Sequence, residues 1–185
     1  MEIGEIFKMD SLFKYIDSIP ELPQELIDEI INHDLENLSQ HKINHYRLFK
    51  ASEKLNSWCR ENIDGVERVA IQEILADVGP HTDLNRECAI NYLVTTGNGK
   101  LCHYSSDHVR VESLHRPVYS TETMNFSKPI VSHRAPLKLS KEISRVDIQT
   151  NRWHIINTKV LHGVVDINSV RLALTINICK DTKYI

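Results

Sequence analysis

With 185 residues, 41% hydrophobic and 25% charged, the chain is long enough for one buried core and too apolar for a disordered one. Its formal net charge of −3 argues against nucleic acid as a partner, because neutralising phosphates takes clustered Lys and Arg. No run approaches the roughly 18 apolar residues of a membrane span, and MEIGEIFKMD lacks the layout of a secretion signal, so a cytoplasmic protein is expected.

In chain order, the first expected element is a helix opened by Pro23. Its apolar positions, Leu26, Ile27, Ile30, Ile31 and Leu35, recur at three- and four-residue intervals and form one stripe. A second helix is expected from about Arg47 to Asn62, burying Leu48, Phe49, Leu55 and Trp58 and stopped at Asp64-Gly65. Residues 1–65 thus read as a helical layer. Beyond Gly65 the segments shorten and fill with β-branched residues: VERVAIQEILADV, ECAINYLV and KLCHY. Asn98-Gly99 between the last two predicts a hairpin whose central pair has positive φ. Residues 107–140 read as strands joined by long loops, and EISRVDIQ, RWHIINT, VLHGVVD and VRLALTINI restore regular strands.

One domain over residues 1–185 follows: mainly β with N-terminal helices, a two-sheet sandwich or jelly roll over 66–180 buttressed on one face. Such a double sheet leaves a mouth between its layers. Cys59, Cys88, Cys102 and Cys179 form no CxxC pair, which fits free thiols in a reducing compartment rather than a disulfide scaffold or structural zinc.

The chemistry is concentrated in ADVGPHTDLNRECAINYLV. His81 and Asp83 are two residues apart, so on an extended backbone they face the same way and can hold one metal as neighbours. Strand formation does not call for an Asp there, yet HxD alone is a weak signal. A third ligand must come from a distant strand, and VLHGVVDINSVRLALTINI supplies His162, with Arg171 nine residues later. Two histidines and one carboxylate occupy one face of an octahedral iron and leave positions for a 2-oxo acid and O2. Arg171 opens an otherwise apolar strand and has the planar fork that binds a carboxylate through two hydrogen bonds.

The order HxD…H…R and the wording HTDLNRECAINYLV and RWHIINTKVLHGVVDINSVRLALTI resemble the 2-oxoglutarate/Fe(II) oxygenase superfamily. The likeness is greatest to its aspartyl/asparaginyl β-hydroxylase-like and proline hydroxylase-like branch. The resemblance implies a double-stranded β-helix, a cupin-like jelly roll. It implies Fe(II) on His81, Asp83 and His162, 2-oxoglutarate anchored by Arg171, and hydroxylation of an amino-acid-like small molecule or a peptidyl side chain with release of succinate and CO2. Relatives often carry Ser two residues after the anchoring Arg; here Ala173 stands there, which leaves Tyr92, Asn91 and Thr175 as candidates for a second bond to the co-substrate. Arg86 is a candidate for a carboxylate of co-substrate or substrate. Trp153 is expected in the core beside the metal strand, with substrate contact as the lesser reading.

His103, His108, His115, His133 and His154 have no evident partner and are expected at the surface or lining the pocket. Tyr104, Tyr119 and Arg134, in or next to the loop region, are unranked candidates for substrate recognition. Two other functions compete. A non-catalytic jelly-roll binding module would make the histidines incidental. A cupin enzyme working without 2-oxoglutarate would place two histidines and a Glu in one motif, a cluster missing here, and would have no use for Arg171.

Overall fold

A computed structural model describes residues 11–33, 45–83, 86–105, 110–114 and 130–185. Among them the chain forms β1 (Phe13–Tyr15), α1 (Gln24–Ile31), β2 (Tyr46–Lys50), α2 (Glu53–Asn62), β3 (Val66–Ile74), β4 (Val78–His81) and β5 (Cys88–Thr95). There follow β6 (Lys100–Tyr104), β7 (Arg110–Leu114), β8 (Ile130–Arg134), β9 (Glu142–Val146), β10 (Trp153–Asn157), β11 (His162–Val165) and β12 (Arg171–Ile178). The strands make two antiparallel six-stranded sheets, a major one in the order β1-β10-β5-β12-β3-β2 and a minor one in the order β7-β8-β4-β11-β6-β9.

Side-chain parity decides which core each residue joins. On the major sheet Cys88, Ile90, Tyr92, Trp153, Leu172, Leu174 and Ile176 face outward onto the helices. There they pack with Leu26, Ile30, Leu55 and Cys59. Their neighbours Ala89, Leu93, Ile156 and Ala173 face the other way and meet Leu101 and Val146 of the minor sheet. The helices therefore buttress one face, as the sequence predicts. Ser52 caps α2 by accepting a hydrogen bond from the Leu55 amide at 3.1 Å. No described helix is long and apolar enough to cross a membrane.

Residues before Gly65 are not purely helical. β1 and β2 flank the major sheet, and Arg47–Lys50, expected to begin a helix, pairs along β3 instead. Phe49 is buried against the helical side by that pairing, while the helix proper starts only after Ser52. A tertiary edge overrides the helical spacing of Leu48 and Phe49. The first helix ends at Ile31, and Leu35 lies outside the described residues.

The expected hairpin is also different. Positive φ falls on Gly97 and Asn98 rather than on Asn98 and Gly99, and the Gly99 amide donates to the Thr96 carbonyl at 2.8 Å. β5 and β6 do not pair, because the turn carries the chain from the major sheet to the minor one. The first four core strands run against the last four: β3 beside β12, β4 beside β11, β5 beside β10 and β6 beside β9.

Candidate metal centre between the sheets

His81 ends β4 and His162 begins β11, and the two are direct cross-strand partners. Their close approach depends on Gly163, where a Cβ would collide with the Val78 carbonyl. Each ring is fixed from behind: Nδ1 of His81 lies 2.9 Å from the Gly79 carbonyl and Nδ1 of His162 lies 3.0 Å from that of Val160. Nδ1 therefore donates, and each Nε2 presents its lone pair to the space between the sheets. Asp83 completes the set, its Oδ1 lying 3.6 Å from His81 Nε2 and 3.9 Å from His162 Nε2. All three donors lie within 4.8 Å of one another, the one such group among the described residues. Oriented imidazoles with free Nε2 and one carboxylate oxygen are a donor set that fits a divalent metal.

The electrostatics favour ligand-competent forms. Burial works against ionising Asp83, but Arg86, His162 and His81 together outweigh it and hold its pKa at about 2. Burial, aided by His81, lowers His162 to about 4, so its imidazole is neutral at physiological pH.

Arg86 spans the gap to the major sheet. Its Nε donates to Asp83 Oδ2 at 2.6 Å, and its Nη1 donates to Asn177 Oδ1 at 2.6 Å and Thr175 Oγ1 at 3.2 Å. Its backbone is pinned as well. The Thr158 hydroxyl donates to the Arg86 carbonyl at 2.9 Å, and the Asp83 amide donates to the Thr158 carbonyl at 3.0 Å.

Arg171 opens β12 deep in the fold, only 5% exposed. Its Nη1 donates to the Gly99 carbonyl at 3.0 Å, and it makes no ion pair among the described residues. Arg86, Arg145 and Arg152 each have a carboxylate partner. Burial holds the Arg171 guanidinium down at about 10, opposed by Asp147. A buried cation with no direct ion pair is costly, and a ligand carboxylate in contact with it would offset that cost.

No protein-family model matches the chain, and no curated protein matches it. Among solved structures it is similar to vicilin from hazelnut (Corylus avellana), 12% identical over 80% of this chain and 32% of that one, with a TM-score of 0.37. For the coconut allergen cocosin the values are 12%, 80%, 30% and 0.38. For E. coli ycfD they are 12%, 92%, 48% and 0.42. The chain thus spans between 30% and 48% of the length of these proteins. Likenesses so distant assign no residue, and the site rests on its own geometry.

The other expected site residues divide by parity. Asn91 and Thr175 are cross-strand partners, both buried, on the opposite face of their strands from the helix-packed residues; Thr175 already accepts from Arg86. Tyr92 is a correction: it sits on the opposite face from Asn91, in the helix-side core, 4.8 Å from the Trp153 ring. Trp153 shares that core, stacks with Trp58 and donates from Nε1 to the Pro20 carbonyl at 2.8 Å, so substrate contact is excluded for it by position.

Two histidines expected at the surface or lining the pocket are buried, both on strand faces turned toward the space between the sheets. His103 is the cross-strand partner of His162, fully buried, and neither ring nitrogen has a hydrogen bond of normal geometry. His154 is buried against Phe13 and Tyr15. Only knowledge of strand pairing reveals that His81, His162 and His103 form one row. His108, His115 and Tyr119 lie outside the described residues, and Tyr104 is buried in a separate cluster with Cys102 and Leu161.

These buried imidazoles set a pH dependence. Burial lowers His103 to about 4 and His154 to about 3, alongside His162 at about 4. The unfolded chain binds protons first as pH falls below the ordinary histidine value. Stability is therefore complete above pH 6.5 and is lost progressively as pH falls toward 4 and below. At pH 5 the loss is roughly 2 kcal/mol per buried imidazole. The urea midpoint of the metal-free protein is expected to drop clearly between pH 7.5 and pH 5; an unchanged midpoint would contradict neutral burial.

Proposed function

We propose that the chain is an Fe(II)- and 2-oxoglutarate-dependent oxygenase, a dioxygenase of the hydroxylase type. Its substrate would be an amino-acid-like small molecule or a peptidyl side chain. The observation that carries this reading is the combination of His81, Asp83 and His162 as a metal donor set with Arg171 as a buried cation that makes no ion pair among the described residues. The winding of eight core strands, the first four against the last four and divided between two sheets, supports a double-stranded β-helix, the jelly roll that such a reading requires. Free Cys59, Cys88, Cys102 and Cys179 accord with a cytoplasmic setting that keeps iron reduced.

In this reading His81, Asp83 and His162 would hold iron. Bound together, iron and 2-oxoglutarate supply oxidative decarboxylation by O2 to succinate and CO2, with the second oxygen atom entering a substrate C–H bond. The chain's own part is placement. Arg171 takes the distal carboxylate, and Ala173, Leu93 and Leu101 give an apolar wall for the methylenes and exclude water. Asn91 and Thr175, cross-strand partners on the opposite face from Tyr92, are the remaining candidates for a further hydrogen bond to the co-substrate, Thr175 accepting from Arg86 and keeping its proton to donate.

The test is addition of Fe(II) and then 2-oxoglutarate without oxygen, watching for the visible charge-transfer band of a chelated 2-oxo acid. A band is the expected outcome. A folded protein that binds neither gives no band and reads instead as a non-catalytic jelly-roll binding module.

A further inference from the structure

Arg86 is tied down more heavily than a side chain of its kind needs to be. The two oxygens of Asp83 have separate duties: Oδ1 faces both histidine Nε2 atoms, while Oδ2 is taken by Arg86 Nε at 2.6 Å. Behind that bond the guanidinium is locked onto Asn177 and Thr175 of β12, and its carbonyl accepts from the buried Thr158 hydroxyl. Such a fork cannot slide, because Nε and Nη1 are fixed in one plane and each has its own partner.

We infer that Arg86 is a positioning residue that makes Asp83 a one-oxygen ligand and offsets its charge, thereby tuning the metal for an anionic ligand. The inference rests on the metal-site reading. A carboxylate free at both oxygens can close on a metal with both and occupy a position needed by the co-substrate. With Oδ2 held from behind, only Oδ1 is available. The charge effect acts in the same direction. A divalent metal beside a bare carboxylate keeps formally one positive charge, whereas the guanidinium restores the second, and a dianionic 2-oxo acid is drawn more strongly. Arg86 also joins the loop after β4 to β12, the strand that bears Arg171, so the metal and the distal-carboxylate anchor keep a fixed separation.

The test uses the full chain with Co(II), an air-stable stand-in for Fe(II), followed by 2-oxoglutarate on the Co(II)-loaded protein. Arg86→Gln is expected to tighten Co(II) binding by about 10-fold, because it removes a positive charge beside the metal and frees the second Asp83 oxygen to ligate. It should also change the intensity of the Co(II) visible spectrum as Asp83 alters its coordination, and weaken 2-oxoglutarate binding, an effect opposite in direction to that on the metal. Arg86→Lys keeps the charge without the fork; it should recover part of the 2-oxoglutarate affinity but not the spectrum. Asn177→Ala removes the anchor and keeps the bond to Asp83. A smaller spectral shift in the same direction is expected from it, and it carries the test should Arg86→Gln fail to fold. Wild-type affinity and spectrum in folded Arg86→Gln, or in Asn177→Ala where only that variant folds, would overturn the inference. Wild-type protein that takes up no Co(II) would overturn the metal reading itself, and the inference with it.

Discussion

A His162→Ala variant is expected to lose Fe(II) affinity by more than about 100-fold, since removing even an outer-shell partner costs 10- to 100-fold. His162 is the one donor contributed from β11, and its removal leaves His81 and Asp83, both from the β4 side. His162 is 5% exposed and its ring is fixed through Nδ1 to the Val160 carbonyl. The charge-transfer band should vanish. The fold should persist: the change removes one imidazole and one hydrogen bond, a loss of about 1–2 kcal/mol at neutral pH. It should also make the acid sensitivity shallower, because one of the three neutral buried imidazoles is gone. A band retained in this variant would mean that the metal sits elsewhere.

Arg171→Met separates co-substrate from metal and is expected to act on affinity and stability in opposite directions. Losing a charge-assisted pair in a buried site costs about 3–5 kcal/mol, or a 100-fold or greater rise in the 2-oxoglutarate concentration needed for the band. Metal binding should be near normal, since none of the metal donors touches Arg171. Without co-substrate the variant should be more stable than the parent. Lowering the guanidinium from 12.5 to about 10 corresponds to roughly 3 kcal/mol of unfavourable burial, which methionine avoids at similar volume. A urea midpoint that rises while 2-oxoglutarate binding disappears is the expected pair of results. A falling midpoint would show that Arg171 is a structural cation.

The candidate donors His81, Asp83 and His162 and the conspicuous Arg171 are legible in the sequence because they need only local spacing and chain order. His81 and Asp83 share a face by parity, and an Arg in an apolar strand is conspicuous. Parity also condemns Tyr92, which adjoins Asn91 in one strand and so must face away from it. Trp153 is set by the same rule against His154. The row of His81, His162 and His103 requires knowledge of which strands pair, and sequence order hides it because β4, β11 and β6 are far apart along the chain. Arg86 is visible as a cation near HxD, but its engagement with Asn177 and Thr175, 91 and 89 residues away along the chain, is not. Arg47–Lys50 departs from the expected helix because its apolar pair fits a helix and a buried edge strand equally well, and β3 decides between them.

The antiparallel winding also governs when the site can come into being during synthesis. Each strand of the first half waits for a partner from the second: β3 for β12, and β4 for β11. A chain emerging from the ribosome as far as β6 therefore holds His81 and Asp83 with unpaired strand edges and no third ligand. Long-range pairing of this kind makes folding slow and leaves exposed edges open to association. If the proposed metal binds, it would act as a late clasp, taken up only after β11 has docked and then retaining the two halves together. Refolding yield should accordingly respond to added metal only in the final docking phase.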